Sequence, residues 1–308
     1  MDGDLGVTSP AAGYERSVHC PPKVNLYLRI VRRREDGFHE LETVFQSVDG
    51  GDLLSAEASN RISLTCSDPL LPVDETNLVT RAALRLHARF GLAADTGARL
   101  HLEKRTPMQA GMGGGSVDAA AALRLLATLW DLPSDEYRLH QLAAELGSDV
   151  PFFLLGGTAL ARGRGEVLQP LSTPPLWLVL LKPAAAVPTP WAFRQWNASR
   201  CSGPSVEEFS RALAHGDAAE IAAMLRNDLE PGVAAGVPEI AGAREWLVRH
   251  GVLGARMTGS GSVVFGIARD EAHAREIAGV GGAPGLLWAA RTLTSAEASL
   301  CPRLGGAA

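Results

Sequence analysis

No two of the four cysteines, Cys20, Cys66, Cys201 and Cys301, form a Cys-x-x-Cys pair, so neither a zinc site nor a disulfide framework is indicated and a reducing, cytoplasmic location is expected. Long apolar runs are missing as well. The most apolar stretch, Leu176–Leu181, stops at Lys182 and Pro183, far short of the ~20 residues a membrane helix needs, and is expected to be a buried strand. Positive charge is not in excess: 29 Lys and Arg stand against 34 Asp and Glu, for a net charge of −5. That balance argues against a nucleic-acid partner, and Arg32, Arg33 and Arg34 make only a local patch, expected to be a solvated turn. A secretory signal is absent, because residues 1–16 carry Asp2, Asp4 and Glu15 and no apolar core, and they read as a disordered leader. No internal repeat or low-complexity segment is found. A length of 308 residues, 46% hydrophobic and 20% charged, is enough for a sizeable core and suggests two domains.

What is present centres on Pro107-Met-Gln-Ala-Gly111-Met-Gly-Gly-Gly115-Ser116, a glycine-rich run leading into an alanine-rich helical segment. Glycines at 111, 113, 114 and 115 permit positive φ and close approach to a ligand. Ser116 is placed to cap a helix over Ala119–Trp130, whose first-turn amides and dipole favour an anion, so the loop reads as a phosphate cradle. It is neither a Walker A loop, since Gly115 is followed by Ser116 and Val117 with no lysine, nor a dinucleotide fingerprint, since Ser116 or Asp118 falls where the third glycine belongs.

Along the chain, strands are expected at Ser17–Cys20, at Val24–Val31, where Val24, Leu26, Leu28 and Ile30 alternate, and at Phe38–Val48, Arg61–Cys66 and Ala98–Lys104. Helices are expected at Asn77–Phe90, stopped by Gly91, and at Ser134–Leu146 with Ser134 as N-cap. Two short strands punctuated by Gly156-Gly157 and Arg162–Gly165 follow, and a domain boundary is set near Pro170–Pro175, giving domains 17–170 and 171–308. The second half reads as a strand at Trp177–Lys182, helices at Val206–His215, Ala218–Arg226, Glu239–His250 and Glu271–Ile277, and one strand across Ala255–Ile267.

Seven segments in order, Lys23-Val-Asn-Leu26, Asp36-Gly-Phe-His-Glu-Leu41, Pro107–Ala120, Gly147-Ser-Asp-Val-Pro-Phe-Phe153, Val187-Pro-Thr-Pro190, Asn227-Asp-Leu-Glu230 and Met257-Thr-Gly-Ser-Gly-Ser262, resemble the motif set of the GHMP kinases, and within them the 4-diphosphocytidyl-2-C-methyl-D-erythritol kinases. The resemblance implies an α+β, two-domain fold, ribosomal S5 domain 2-like and then ferredoxin-like. It implies transfer of the γ-phosphoryl of ATP, with Mg²⁺, to the 2-hydroxyl of 4-diphosphocytidyl-2-C-methylerythritol, a step of the non-mevalonate isoprenoid pathway. By the same resemblance Asp149 is the base and Lys23 its cationic neighbour. Pro107, Ala110, Gly111, Met112, Gly113, Gly114, Gly115 and Ser116 bind ATP. Asn25, Phe38, His39, Thr189 and Phe193 bind the acceptor, with Phe38 and Phe193 flanking a cytosine that His39 reads. Metal ligands are unassigned, a monomer or homodimer is expected, and the partner is a small molecule with a cytidine diphosphate moiety.

Read without the resemblance, several of these residues keep a plainer role. Asp149, followed by Val150 and Pro151, fits a helix N-cap, Lys23 fits a strand lysine with its head in water, Phe38 and Phe193 fit a core, and His39 fits a satisfied histidine. Val117 stands where the resemblance expects a second serine, Gln109 where it expects a small residue on the adenosine side, and Met112 where it expects leucine. Asp118 reads as structural, and Gly259 and Ser260 as small residues that let the loop pack against the catalytic segment. Within the same fold the alternatives are a homoserine- or mevalonate-type kinase, a non-catalytic sensor or an RNA-binding module.

Overall fold

The alternation of apolar residues at 24, 26, 28 and 30 builds one long strand in the computed structural model, which describes residues 15–133 and 135–304. The first half runs β1 (Arg16–Cys20), β2 (Lys23–Arg33), β3 (His39–Ser47), β4 (Asp52–Ser59), β5 (Ser63–Cys66), α1 (Leu78–Phe90), β6 (Gly97–Glu103), α2 (Gly114–Leu129), α3 (Glu136–Leu146), α4 (Val150–Leu155), β7 (Thr158–Gly163) and β8 (Val167–Leu171). The second half runs β9 (Trp177–Pro183), α5 (Thr189–Arg194), α6 (Val206–His215), α7 (Ala218–Ala223), β10 (Arg226–Asn227), α8 (Glu230–Gly236), α9 (Pro238–Arg249), β11 (Gly254–Met257), β12 (Val264–Ile267), α10 (Glu271–Ala278), β13 (Gly285–Arg291) and β14 (Arg303–Leu304).

Three sheets form, in the orders β14-β1-β4-β6-β5, β10-β2-β3-β7-β8 and β11-β12-β9-β13. In the third, β9-α9-β11-β12-α10-β13 is a βαββαβ unit with all neighbours antiparallel, which makes the second half ferredoxin-like, with α5–α8 and β10 inserted before α9. The short strands β10 and β14 return to the first-half sheets, β10 parallel to β2 and β14 antiparallel to β1. Helices α1–α4 cover the first sheet over a core that includes Leu54, Leu86, Leu123 and Phe152. Strand β2 serves two further cores, giving Val24 and Leu26 to one with Phe209 and Phe265, and Leu28 and Ile30 to another with Trp246 and Leu247. Each such fully buried Leu or Phe contributes roughly 1.5–3 kcal/mol over exposure to water. Among the described residues no helix is long and apolar enough to cross a membrane, and Leu176–Leu181 belongs to buried β9 and its approach.

Several expectations need correcting. The phosphate-loop helix starts at Gly114, not Ala119, because Gly113 takes a left-handed φ of 71° that turns the chain into the helix at once; Ser116 therefore lies in the first turn and caps nothing. Helix α3 is capped by Asp135, whose side chain accepts from Arg138 N at 3.0 Å, while Ser134 lies outside the described residues. The single strand expected over Ala255–Ile267 is a hairpin, β11 and β12, folded back at Gly259 and Gly261, whose φ values are 53° and 88°. Arg32 and Arg33 extend β2 and are not part of a turn. Residues 1–14 of the expected leader lie outside the described residues, and Arg16 already belongs to β1. Strands β4 and β13 were not anticipated: Asp-Leu-Leu-Ser-Ala-Glu does not alternate, and Gly-Leu-Leu-Trp-Ala-Ala lacks β-branched residues. By contrast α1 begins and ends as expected, with Asn77 accepting from Val79 N and Gly91 in the left-handed C-cap conformation.

Candidate active site

The glycine loop is held in place by the β11–β12 hairpin. Gln109 O and Ala110 O accept from Ser262 N and Val263 N, each at 3.2 Å, so residues 109–110 and 262–263 run side by side. At Gly111, φ is 75° and a Cβ would lie 2.1 Å from Thr258 O, so no other residue fits there. Gly259 approaches as closely from the other side, where a Cβ would stand 2.8 Å from Gly111 O and 3.2 Å from Asn25 Oδ1. The hairpin is itself braced by Asn227, which donates to Met257 O (2.6 Å) and Gly259 O (2.9 Å), and by Glu230, which accepts from Met257 N (2.7 Å). Asn227 and Glu230 therefore shape the loop from a distance, a role their sequence motif did not disclose.

Lys23, the first residue of β2, projects into this arrangement and is 3% exposed. Its Nζ donates to Asn25 Oδ1 at 2.6 Å and to Gly111 O at 2.9 Å, and stands 3.5 Å from Asp149 Oδ2. Burial lowers the Lys23 pKa, and the Asp149 carboxylate offsets part of that effect. Asn25 passes the restraint on, since its backbone N–H donates to Thr258 Oγ1 (2.9 Å) and its Nδ2 donates to Thr43 Oγ1 (2.8 Å). Asp149 sits at the N-cap position of α4 in the right-handed helical region and makes no side-chain cap bond. Its carboxylate is instead turned toward Lys23, with about a third of its side chain exposed to the cleft.

The cleft beside these residues has a volume of about 680 Å³. It is lined by Lys23, Asn25, Asp149, Thr189 and Phe193, and by every residue assigned above to ATP from Pro107 and Ala110 through Ser116. Phe38 and His39 do not line it. Phe38 lies at the rim, 52% exposed, with the Arg164 guanidinium 5.0 Å over its ring. His39 stacks on Phe193 with centroids 5.0 Å apart and meets Trp196 edge-on at 5.5 Å, so one face of Phe193 is covered by the imidazole. Burial first, and Arg33 second, lower the His39 pKa. Thr189 Oγ1 and Ser260 Oγ are 2.9 Å apart, which ties α5 to the hairpin. Leu71, Pro72, Thr76, Asn77 and Leu78 also line the cleft and were missed because they combine a loop with the start of α1, neither of which carries a nucleotide motif.

Beneath the loop lies a buried charge cluster. Lys104 Nζ donates to Asp52 Oδ2 at 2.5 Å and to Asp118 Oδ2 at 2.9 Å, and Asp52 Oδ1 accepts from Arg105 N and Thr106 N. A Cβ on Gly114 would lie 3.3 Å from that Nζ, so the ammonium sits directly under the helix start. Burial opposes the charge on Lys104, but its two carboxylate neighbours outweigh burial and its pKa is raised. Asp118 is pushed well above the ordinary carboxylate range by burial, against Lys104 and with the help of Asp52, and its Oδ1 has no hydrogen-bond partner. Val117 is fully buried in the first core, so the departure at that position does not reach the phosphate surface. Gln109 takes a φ of 48°, rare for a side chain of its size, and lines the cleft. Among the described residues no group of three or more His, Cys, Asp or Glu is placed to hold a metal.

Comparison with known proteins agrees with this geometry. The GHMP kinases N terminal domain matches residues 77–157 and the GHMP kinases C terminal domain residues 209–280. The 4-diphosphocytidyl-2-C-methyl-D-erythritol kinase of Gloeobacter violaceus is 45% identical over 272 residues, covering 86% of this chain and 89% of that protein. A crystal structure of 4-(cytidine 5'-diphospho)-2C-methyl-D-erythritol kinase superposes with a TM-score of 0.77 at 40% identity, covering 90% of this chain and 98% of that one. Homoserine kinase from Cytophaga hutchinsonii has a TM-score of 0.72 at 19% identity, covering 97% of this chain and 100% of that one, a likeness of fold alone.

Proposed function

The chain belongs to the 4-diphosphocytidyl-2-C-methyl-D-erythritol kinases of the GHMP kinase family, and on that footing we propose that it transfers the γ-phosphoryl group of ATP to the 2-hydroxyl of 4-diphosphocytidyl-2-C-methyl-D-erythritol, in the non-mevalonate route to isoprenoids. The acceptor oxygen attacks the γ-phosphorus, the bond to the β-phosphate oxygen breaks, and ADP leaves. The hydroxyl proton passes to the Asp149 carboxylate, which is open to the cleft and uncommitted to a cap. Lys23 pairs with that carboxylate and orients it through the 3.5 Å contact. Free amides at Gly114 and Gly115 and the α2 dipole take the triphosphate, and the Lys104 charge below them offsets Asp118.

The observation that carries this reading is the Lys23 ammonium, which bridges Gly111 O in the phosphate loop and the Asp149 carboxylate and so couples the two reactants' sites through one buried group. Mg²⁺ would arrive with the triphosphate, and the cleft offers a hard oxygen donor that suits it, the Ser116 hydroxyl, beside the triphosphate's own oxygens. Bound there, it would neutralise charge on the transferring group. On the acceptor side Asn25 is a positioning group for Lys23, Thr189 and Phe193 line the cleft, His39 stacks on Phe193, and the rings of Phe38 and Phe193 are the ones we assign to a cytosine, each stacked face being worth about 1–3 kcal/mol. For the division into domains 17–170 and 171–308, the gap between β8, which ends at Leu171, and β9, which begins at Trp177, supports a boundary one or more residues later, within the Pro170–Pro175 stretch.

The test is turnover of ATP with a panel of acceptors. ADP is expected with the cytidyl alcohol and none with homoserine, mevalonate or galactose. Turnover of one of those three in its place would reassign the enzyme within the fold.

A further inference from the structure

A second groove, of about 550 Å³, lies outside the cleft, where α9 faces α7 and the edge strand β11. Its size is that of a small-molecule site. Gly254 lets β11 close against α7, since a Cβ there would stand 2.6 Å from Ala222 O. Three guanidiniums line the groove, Arg244 and Arg249 from α9 and Arg256 from β11, against one carboxylate, Glu245. That concentration of positive charge occurs on a chain whose net charge is −5.

The three arginines are held differently. Arg256 donates from Nε to Leu225 O at 3.2 Å and from Nη1 to Ala255 O at 3.1 Å, so carbonyls fix its position and leave its charge unneutralised. Arg249, in the last turn of α9, is exposed, and among the described residues its side chain makes no hydrogen bond or ion pair. Arg244 is committed to a neighbour outside the groove. Its Nη1 donates to Glu230 Oε1 at 3.2 Å, with the arginine side chain 42% exposed and the glutamate 9%. The other oxygen of that carboxylate, Oε2, accepts from Met257 N at 2.7 Å, at the foot of the hairpin whose Thr258 O lies against Gly111. One ion pair and one hydrogen bond thus join the groove to the hairpin that holds the phosphate loop. We propose that the groove binds a small anion carrying two phosphate groups, gripped by Arg249 and Arg256 and drawing Arg244 away from Glu230. Guanidinium forks match phosphate oxygens in pairs. A nearly buried carboxylate that loses its cation is a poorer brace, so occupancy loosens the hairpin's hold on Gly111 and lowers the affinity for ATP. The coupling, unlike the site itself, rests on the reading above that ATP lies on this loop.

The probe is inorganic pyrophosphate, titrated calorimetrically into the full chain with the ATP site saturated by a nonhydrolysable analogue and free Mg²⁺ held constant. Wild type is compared with Arg249→Met, whose Tm should be unchanged because the side chain has no partner to lose, and with Arg275→Met on α10 as control. Wild type should bind pyrophosphate, Arg249→Met should bind it about ten- to a hundredfold more weakly, the scale of a charge-assisted hydrogen bond, and Arg275→Met should match wild type. ADP titrated in the same way identifies the source of the diphosphate, a nucleotide if ADP binds more tightly and an inorganic anion if pyrophosphate does. Binding of neither ligand, or an affinity in Arg249→Met within twofold of wild type, overturns the site. The coupling is read separately, as the affinity for the ATP analogue with and without pyrophosphate. Direct competition at the phosphate loop weakens the analogue equally in both proteins, and wild type should show a further loss of about fivefold or more. Equal losses in wild type and Arg249→Met overturn the coupling. A wild type that binds pyrophosphate in the groove but does not phosphorylate the cytidyl alcohol overturns the functional reading and upholds the site.

Discussion

Lys23 and Asp149 illustrate how environment assigns a role that residue type leaves open. A strand lysine normally extends its head into water; here the chain closes over it, and three acceptors replace the lost hydration. Because burial lowers its pKa, the ammonium gives up its proton at a lower pH than a free lysine. The alkaline limb of the kcat–pH profile should therefore fall below the ordinary lysine value of about 10.4, and a rate that stays flat past that value would remove Lys23 from the chemistry. Asp149→Asn should lower kcat by about a hundredfold or more while ATP binding, measured by titration, changes little. A near-normal kcat would return Asp149 to a structural role. Asp118 gives a pH signature of stability. Its folded-state pKa is raised, so its contribution is full in acid, below the unfolded value, and is lost as pH rises through the folded value. Asp118→Asn removes that titration, and the Tm of the variant relative to the parent should increase as pH rises above the ordinary carboxylate value of about 3.9. A difference constant over that range would mean that Asp118 stays ionised throughout.

At the scale of elements, loop and hairpin act as a matched pair. Gly111→Ala combines a left-handed φ with a methyl 2.1 Å from Thr258 O, and should cost at least about 2 kcal/mol, read as a fall in Tm together with weaker ATP binding. Gly115→Ala is the contrast. Its added methyl would meet only Leu78, at 3.6 Å, inside a helical turn, so Tm should hold or rise slightly. Equal losses in the two variants would show that the loop is sensitive to any side chain and not to the hairpin contact. These elements were unequally legible. Helix α1 carried its own punctuation in Asn77 and Gly91, and β2 its alternation, both local signals. The split of β11 from β12 was hidden because Val263, Val264 and Phe265 continue the apolar run through small residues, and only a backbone that folds back on Gln109 and Ala110 reveals the turn. Strand β13 is an edge strand whose alanines pack onto β9 without β-branched residues, and its partner is about a hundred positions away.

For the molecule as a whole, the site depends on parts far apart in sequence: Lys23 from β2, Gly111 from the loop, Asp149 from the start of α4, and Thr258 from a hairpin 233 positions from its partner Asn25. The phosphate loop could be read from its glycines alone, because positive φ and a following helix are local properties. The roles of Lys23, Asn25 and Asp149 came from family resemblance, since nothing near them in the chain shows which groups they will meet. Lys104, Asp52, Asn227 and the α1 wall of the cleft were invisible until the sheets assembled around them. The central claim concerns how these parts converge on two reactants, and it is tested most directly by a crystal structure of the protein with a nonhydrolysable ATP analogue and the cytidyl alcohol. The triphosphate should lie against the amides of Gly111–Ser116, with the acceptor 2-hydroxyl between the γ-phosphate and Asp149 and within hydrogen-bond reach, about 2.6–3.2 Å, of its carboxylate. A triphosphate bound away from Gly111–Ser116, or an acceptor hydroxyl facing a residue other than Asp149, would contradict it.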